Sequence, residues 1–175
     1  MILESEEHAR KRNAKIYAEL AGYAITSEAY NIMAPMKDGE GIAYTISEAL
    51  RKSGNSVDEV DYINAHGTST TLNDKYETLA IKTVFGEKAY KIPVSSSKSM
   101  IGHTIGAAGV IEGIITVLSI VNQTITPTIN LDNPDPELDL DYVPNKSRKH
   151  AINCALSNSF AFGGHNATLV FRKYT

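Results

Sequence analysis

The sequence predicts an α/β fold: a mixed, mostly parallel five-stranded sheet with helices packed on it, ending in a C-terminal antiparallel hairpin. Three observations predict it. Apolar residues switch along the chain between strand-like alternation and helical 3.6-residue spacing, and strand–helix alternation builds a parallel sheet covered by helices. Gly54 and Gly86 stand where the helical stretches should stop. The final stretch, AINCALSNSFAFGGHNATLVFRKY (151–174), is two apolar runs around Gly163-Gly164, the pattern of a hairpin with a loop longer than two residues.

Each element follows in order. AKIYAELAGYAIT (14–26) alternates apolar and small residues as a strand does, and GEGIAYTISEALRKSG (39–54) carries a helical stripe of Ile42, Ile46, Ala49 and Leu50. VDYINA (60–65) reads as a second strand. Asp74-Lys75-Tyr76-Glu77 has the spacing of a capping box, opening a helix whose Tyr76, Leu79, Ala80, Thr83 and Val84 share a face. KIPVSSS (91–97) is a third strand, and a long apolar helix runs from near Thr104 to Asn122. The two prolines of 133–136 make that segment a loop.

A chain of 175 residues with 42% hydrophobic composition supports one core of ordinary size. Its net charge of −3 argues against a nucleic-acid or membrane partner, which would want basic excess. The single cysteine, Cys154, excludes an internal disulfide and points to a reducing compartment. The N-terminus, MILESEEHARKRNAK, is charged where a signal peptide is apolar. The run from Ile105 to Val121 makes a poor membrane span, because it holds Glu112 and several glycines. The expectation is a soluble intracellular protein, or part of one.

In sheets of this kind, ligand chemistry sits beyond the carboxyl ends of the strands. His66 follows the second strand and Lys98 the third. Beside His66, Gly67-Thr68-Ser69-Thr70 offers room and hydroxyl donors. His103 at a helix start meets unpaired N–H groups and the helix dipole, which favour neutral imidazole, a donor suited to a developing oxyanion. Gly102, Gly106, Gly109 and Gly113 form one helical stripe that would let another backbone approach. Glu112, a lone carboxylate in an apolar helix, calls for a partner or a raised pKa unless it faces solvent, and Lys98 is the nearest candidate. Cys154 lies inside an apolar strand and reads as a small hydrophobe rather than a nucleophile. SFAFGGHN (159–166) is either a plain hairpin turn or a flexible loop that swings an aromatic ring. His66, His103 and His165 lack a familiar metal-ligand spacing, and no metal is expected.

NAHGTST followed by NDKYE, then KSMIGHTIGAAGVIE, then SNSFAFGGHN resemble, in order, three motifs of the β-ketoacyl-acyl-carrier-protein synthases, nearest to the elongating enzymes of fatty-acid synthesis. The resemblance spans nearly the whole chain. It implies a thiolase-like fold of two similar halves, with residues 14–175 as the C-terminal one and 1–13 as a tail of the N-terminal one. It implies decarboxylative Claisen condensation, with His66 and His103 binding the malonyl thioester carbonyl. Lys98 would organise that pair electrostatically, with Glu112 as its buried acidic neighbour. Thr68 and Thr70 would bind the phosphopantetheine arm of acyl carrier protein, and Phe162 and Gly163 would form a gate and part of an oxyanion hole. No resident cofactor is implied. The full protein would be a homodimer in the cytoplasm, or in an organellar stroma or matrix in a eukaryote. Two departures stand out. Ala161 occupies a loop position that is usually glycine, which would stiffen the gate. The family's catalytic cysteine lies in the N-terminal half, so a longer chain or a partner chain must supply it. A polyketide-type ketosynthase is the near alternative, although its motif commonly reads Asp-Pro where this chain has Asp74-Lys75. A non-catalytic partner subunit is the other, against which the retained histidines and Lys98 speak.

Overall fold

In the computed structural model, which describes residues 1–175, the strands are β1 (Glu19–Ser27), β2 (Tyr62–Asn64), β3 (Val94–Ser95), β4 (Thr124–Ile125), β5 (Arg148–Lys149), β6 (Cys154–Ala161) and β7 (His165–Arg172). The helices are α1 (Glu6–Lys11), α2 (Glu40–Ser53), α3 (Thr71–Phe85), α4 (Lys98–Ile101) and α5 (Ala108–Asn122). Five strands form one sheet in the order β1-β7-β6-β2-β3, and β4 and β5 make a separate antiparallel pair. β7 runs antiparallel to β1 and β6, while β2 pairs in parallel with β6 and with β3. Four of the five strands therefore point the same way, as the sequence predicts.

Successive strand residues face opposite sides of the sheet, and the core divides accordingly. Ile63, Leu156 and Val170 face α2 and α3, packing with Ile42, Ile46, Leu50, Ile81 and Phe85. Their neighbours Tyr62, Ala155 and Phe171 face α5 and pack with Ile120. α2 ends because Gly54 adopts the left-handed conformation (φ 72°) that closes a helix without a Cβ penalty. Gly22 of β1 lets α2 lie close, since a methyl group there would come within 2.7 Å of Ser53.

Four local expectations are corrected. The strands at 14–26, 60–65 and 91–97 are shorter than their apolar patterns, because only part of each pairs in the sheet. The helix expected from Asp74 begins at Thr71, with extended Thr70 as its first flanking residue. Asp74 therefore lies in the first turn, and the capping box is absent. The long apolar helix expected from near Thr104 starts late: α5 begins only at Ala108, after a 3₁₀ turn over Ile105–Ala107, and the short α4 before it closes at Gly102. The glycine stripe does not form a packing seam. Gly102 and Gly106 face open space, whereas a methyl group on Gly113 would lie 3.5 Å from Phe171.

α5 buries Glu112, Thr116 and Ile120 toward the sheet but leaves Val110, Leu118 and Val121 exposed. On the same side of the sheet, Tyr23 and Ile25 of β1 are also bare.

Candidate functional site at the carboxyl edge of the sheet

The three parallel strands β6, β2 and β3 end together. Asn64 is in register with Ser95 on one side and Ser157 on the other, so the residues just beyond arrive at one edge. His66 follows β2, Lys98 follows β3, and Phe160 lies near the end of β6. The His66 ring stands 5.6 Å from that of His103, edge to face, and 5.9 Å from that of Phe160. The two histidines read from separate motifs are thus side by side. His66 is 7% exposed and His103 is open to solvent.

Burial pushes the His66 imidazole down to about 3, helped by the positive charge of Lys98 and by His103. His66 is therefore neutral near pH 7. Its Nδ1 is buried and has no protein partner. The Nδ1 of His103 accepts a hydrogen bond from the Ile105 N–H at 3.1 Å, which leaves the neutral ring with its proton on Nε2, free to donate. That N–H is aimed by an unusual backbone: Ile105 is β-branched yet holds φ at 52°, a strained conformation of the kind that collects at functional sites.

His66 makes stability depend on pH. An unfolded histidine takes up a proton near pH 6.5, whereas the folded one resists until about 3. Between those values the unfolded state binds more protons, so the contribution is complete above the upper value and is lost as pH falls, by about 1.4 kcal/mol per pH unit. Urea denaturation of wild type and His66→Gln from pH 7 to 5 should show the variant with the shallower loss. Equal slopes would mean that His66 titrates normally.

Lys98 and Glu112 form an ion pair at 2.5 Å, with side chains only 4% and 1% exposed. Burial pushes the Glu112 carboxyl above its usual range, and the Lys98 ammonium pulls against that shift. One oxygen of Glu112 has no partner. Lys98 reaches the edge of the site, and Glu112 is sealed behind it. The expectation that Glu112 needs a partner is met by this contact.

Glu77 was not foreseen as part of the site. On α3 it points inward, accepting the N–H of His66 and that of Gly67, each at 2.9 Å, and the amide of Asn158 at 3.2 Å. Burial pushes its carboxyl upward, opposed by the hydrogen bonds from Gly67 and His66. Asp74, one turn earlier, accepts the Ser69 N–H, while Ser69 holds φ at 62°. Two α3 carboxylates thus hold the 66–70 loop from below. The available signal was spacing: Glu77 lies three, four and eight residues before Ala80, Ile81 and Phe85, all buried.

Gly67, Thr68, Lys98 and His103 line a cleft of about 430 Å³ together with Ile129, Leu138 and Tyr142. The hydroxyls of Thr68 and Thr70 are 2.9 Å apart, with Thr70 at the surface. Phe162 is 70% exposed on the hairpin turn, outside the cleft, and Phe160 rather than Phe162 touches His66. The turn itself is pinned where Gly163 donates to the Ile32 carbonyl. Positive φ falls on Gly163 and Gly164, while Ala161 is ordinarily extended. Cys154 opens β6, at the end of the sheet opposite His66, and burial with the nearby carboxylates of Asp61 and Glu59 pushes its thiol up to about 12. His66, His103 and His165 do not converge, and no group of three potential metal ligands is present.

A family model described as the C-terminal domain of β-ketoacyl synthase matches residues 17–132. The chain is 56% identical over 174 residues to a 3-oxoacyl-[acyl-carrier-protein] synthase 2 of Synechocystis and 50% identical over 173 residues to one of Coxiella burnetii. Those matches cover 99% of this chain but 42% of each relative. Among solved structures, it is similar to a complex of a type II polyketide-synthase acyl-carrier protein with its ketosynthase, at a TM-score of 0.95 and 46% identity, over 98% of this chain and 42% of that one. A β-ketoacyl synthase from Burkholderia phymatum gives a TM-score of 0.92 at 36% identity, over 98% and 41%. The chain spans under half the length of these relatives, and it belongs to the β-ketoacyl synthase family, whose C-terminal half it carries.

Proposed function

We propose that this chain supplies the decarboxylating half of a 3-oxoacyl-[acyl-carrier-protein] synthase of fatty-acid synthesis. The observation that carries the reading is the neutral, buried His66 beside His103, whose Nδ1 is occupied by a backbone N–H so that its Nε2 is left to donate. A malonyl thioester would place its carbonyl oxygen between the two rings. The bond between its α-carbon and its carboxylate then breaks, CO₂ leaves, and the electron pair becomes an enolate whose oxygen is held by both histidines. The enolate carbon attacks an acyl thioester on a cysteine outside this chain, forming the new carbon–carbon bond and releasing the cysteine thiolate. Lys98 supplies positive charge to the site, and Glu112 holds Lys98 in place.

Thr68 and Thr70 would hydrogen-bond the phosphopantetheine arm of the acyl carrier protein, with Phe162 and Gly163 as a gate and part of an oxyanion hole. No resident cofactor or metal enters this scheme. The bare apolar face of Tyr23, Ile25, Val110, Leu118 and Val121 fits contact with the remainder of a longer protein or with a partner chain. Residues 1–13 would belong to that other half and 14–175 to this one. The full protein would act as a homodimer in the cytoplasm or an organellar stroma or matrix.

The test pairs the chain with the portion of the Synechocystis synthase that lies outside the matched region. The pair should decarboxylate malonyl carrier protein and form a β-ketoacyl product, and His66→Ala or His103→Ala should abolish both. The chain alone should gain no acyl group on incubation with acyl carrier protein thioesters. A stoichiometric adduct on Cys154 by intact-mass spectrometry, or a well-folded pair without decarboxylation, would overturn the reading. The similarity to the polyketide ketosynthase gives a second reading, and products of repeated condensation without reduction would favour it.

A further inference from the structure

Asn64 has no role in the chemistry described above, yet it is fully buried and every polar atom of its side chain is used. Its Nδ2 donates to the Glu112 carbonyl oxygen and to Thr116 Oγ1, each at 3.1 Å, and its Oδ1 accepts from Ser97 Oγ at 3.3 Å. Thr116 closes the network by donating its own hydroxyl to the same Glu112 carbonyl at 2.8 Å.

These partners sit on three separate segments. Asn64 ends β2, two residues before His66. Ser97 immediately precedes Lys98. Glu112 is the counterion of Lys98 and belongs to α5. One amide therefore ties together the strand that carries the buried histidine, the turn that carries the ammonium, and the helix that holds that ammonium. We infer that Asn64 is a positioning residue that sets the distance between His66 and the Lys98–Glu112 pair; this rests on the decarboxylation reading above.

The chemistry favours this over simple packing. A leucine of similar size would fill the space, but it would leave the Ser97 hydroxyl without its acceptor and release α5 from β2. A fully satisfied buried network rigidifies what it connects, and a partly satisfied one is costly. Displacing a charged group by about 1 Å relative to reacting atoms can lower a rate on the order of 10²-fold. Asn64 touches no substrate, so its loss should fall on turnover rather than on binding.

The experiment uses the same reconstituted pair and measures kcat and KM for malonyl carrier protein decarboxylation, and the pH dependence of kcat. Four variants are compared: Asn64→Leu, Asn64→Asp, which keeps the shape but has no donor, Thr116→Val, which removes one partner, and Tyr62→Phe. Tyr62 is the control: equally buried on the same strand, its hydroxyl meets Ser95 Oγ at 2.8 Å and leads to none of the three groups. Both Asn64 variants should lose kcat on the order of 10²-fold, with KM nearly unchanged and a displaced pH–rate profile. Thr116→Val should fall between them and wild type, and it carries the test if the Asn64 variants do not fold. Tyr62→Phe should keep wild-type kcat.

Wild-type kcat in Asn64→Leu, or in Thr116→Val where the Asn64 variants do not fold, would overturn the assignment, as would an equal loss in Tyr62→Phe. These outcomes are distinct from failure of the functional reading, in which the wild-type pair itself would show no decarboxylation.

Discussion

Replacing Glu112 by alanine should destabilise the protein by about 3–5 kcal/mol, because it leaves the Lys98 ammonium buried without its counterion. Lys98 donates to Glu112 with both side chains almost wholly buried, so screening by water and salt is weak there. The reverse change, Lys98→Met, should cost less. Burial already pushes the Glu112 carboxyl upward, so without Lys98 it can take up a proton and remain buried as a neutral group. The double variant Lys98→Met/Glu112→Leu should regain most of the lost stability, since an apolar pair of similar volume often matches a buried ion pair. It should not regain decarboxylation, because the charge beside His66 is gone. Urea denaturation of the three variants at pH 7 measures the energies. Single-variant losses near zero, or a double variant no better than Glu112→Ala, would mean that solvent reaches the pair.

The second large effect concerns Glu77. Glu77→Leu removes the acceptor of the His66 N–H, the Gly67 N–H and the Asn158 amide together. Each donor left unpaired costs about 1–3 kcal/mol, so for the three together a loss on the order of 3–9 kcal/mol is expected. Glu77→Gln should be intermediate, because one oxygen still accepts while the new NH₂ group opposes a backbone donor. The consequence for the site is local. His66 rides on the loop that these bonds secure, so in Glu77→Gln the two imidazoles should no longer keep their edge-to-face contact. A crystal structure of Glu77→Gln with the two rings still 5.6 Å apart would show that Phe160 and the strand end hold His66 without help.

Much of this was legible along the chain. The period of the apolar residues is a local property set by which face of a strand or helix is buried, so it revealed the sheet, its helices and the hairpin around Gly163-Gly164. Chemistry out of place was also legible. Lys98 and His103 beside an apolar run, and Glu112 within it, had to be satisfied by something, and the geometry joins Lys98 to Glu112 and His103 to His66.

Only the tertiary structure decided where the chain departs from its own pattern. Whether Glu77 caps a helix or points into the site depends on where α3 begins, and the left-handed turn at Ser69 moves that start to Thr71. Ile105, with its left-handed backbone, delays to Ala108 a helix that hydropathy alone would start near Thr104, and His103 in the segment before it lies against His66. Phe160 and Phe162 look alike in sequence, but strand alternation sends the first inward and the hairpin turn leaves the second in solvent. Asn64 gave no signal at all. A hydrogen bond spans only about 3 Å, so its partners on Ser97, Glu112 and Thr116 exist only once three distant segments have been packed together.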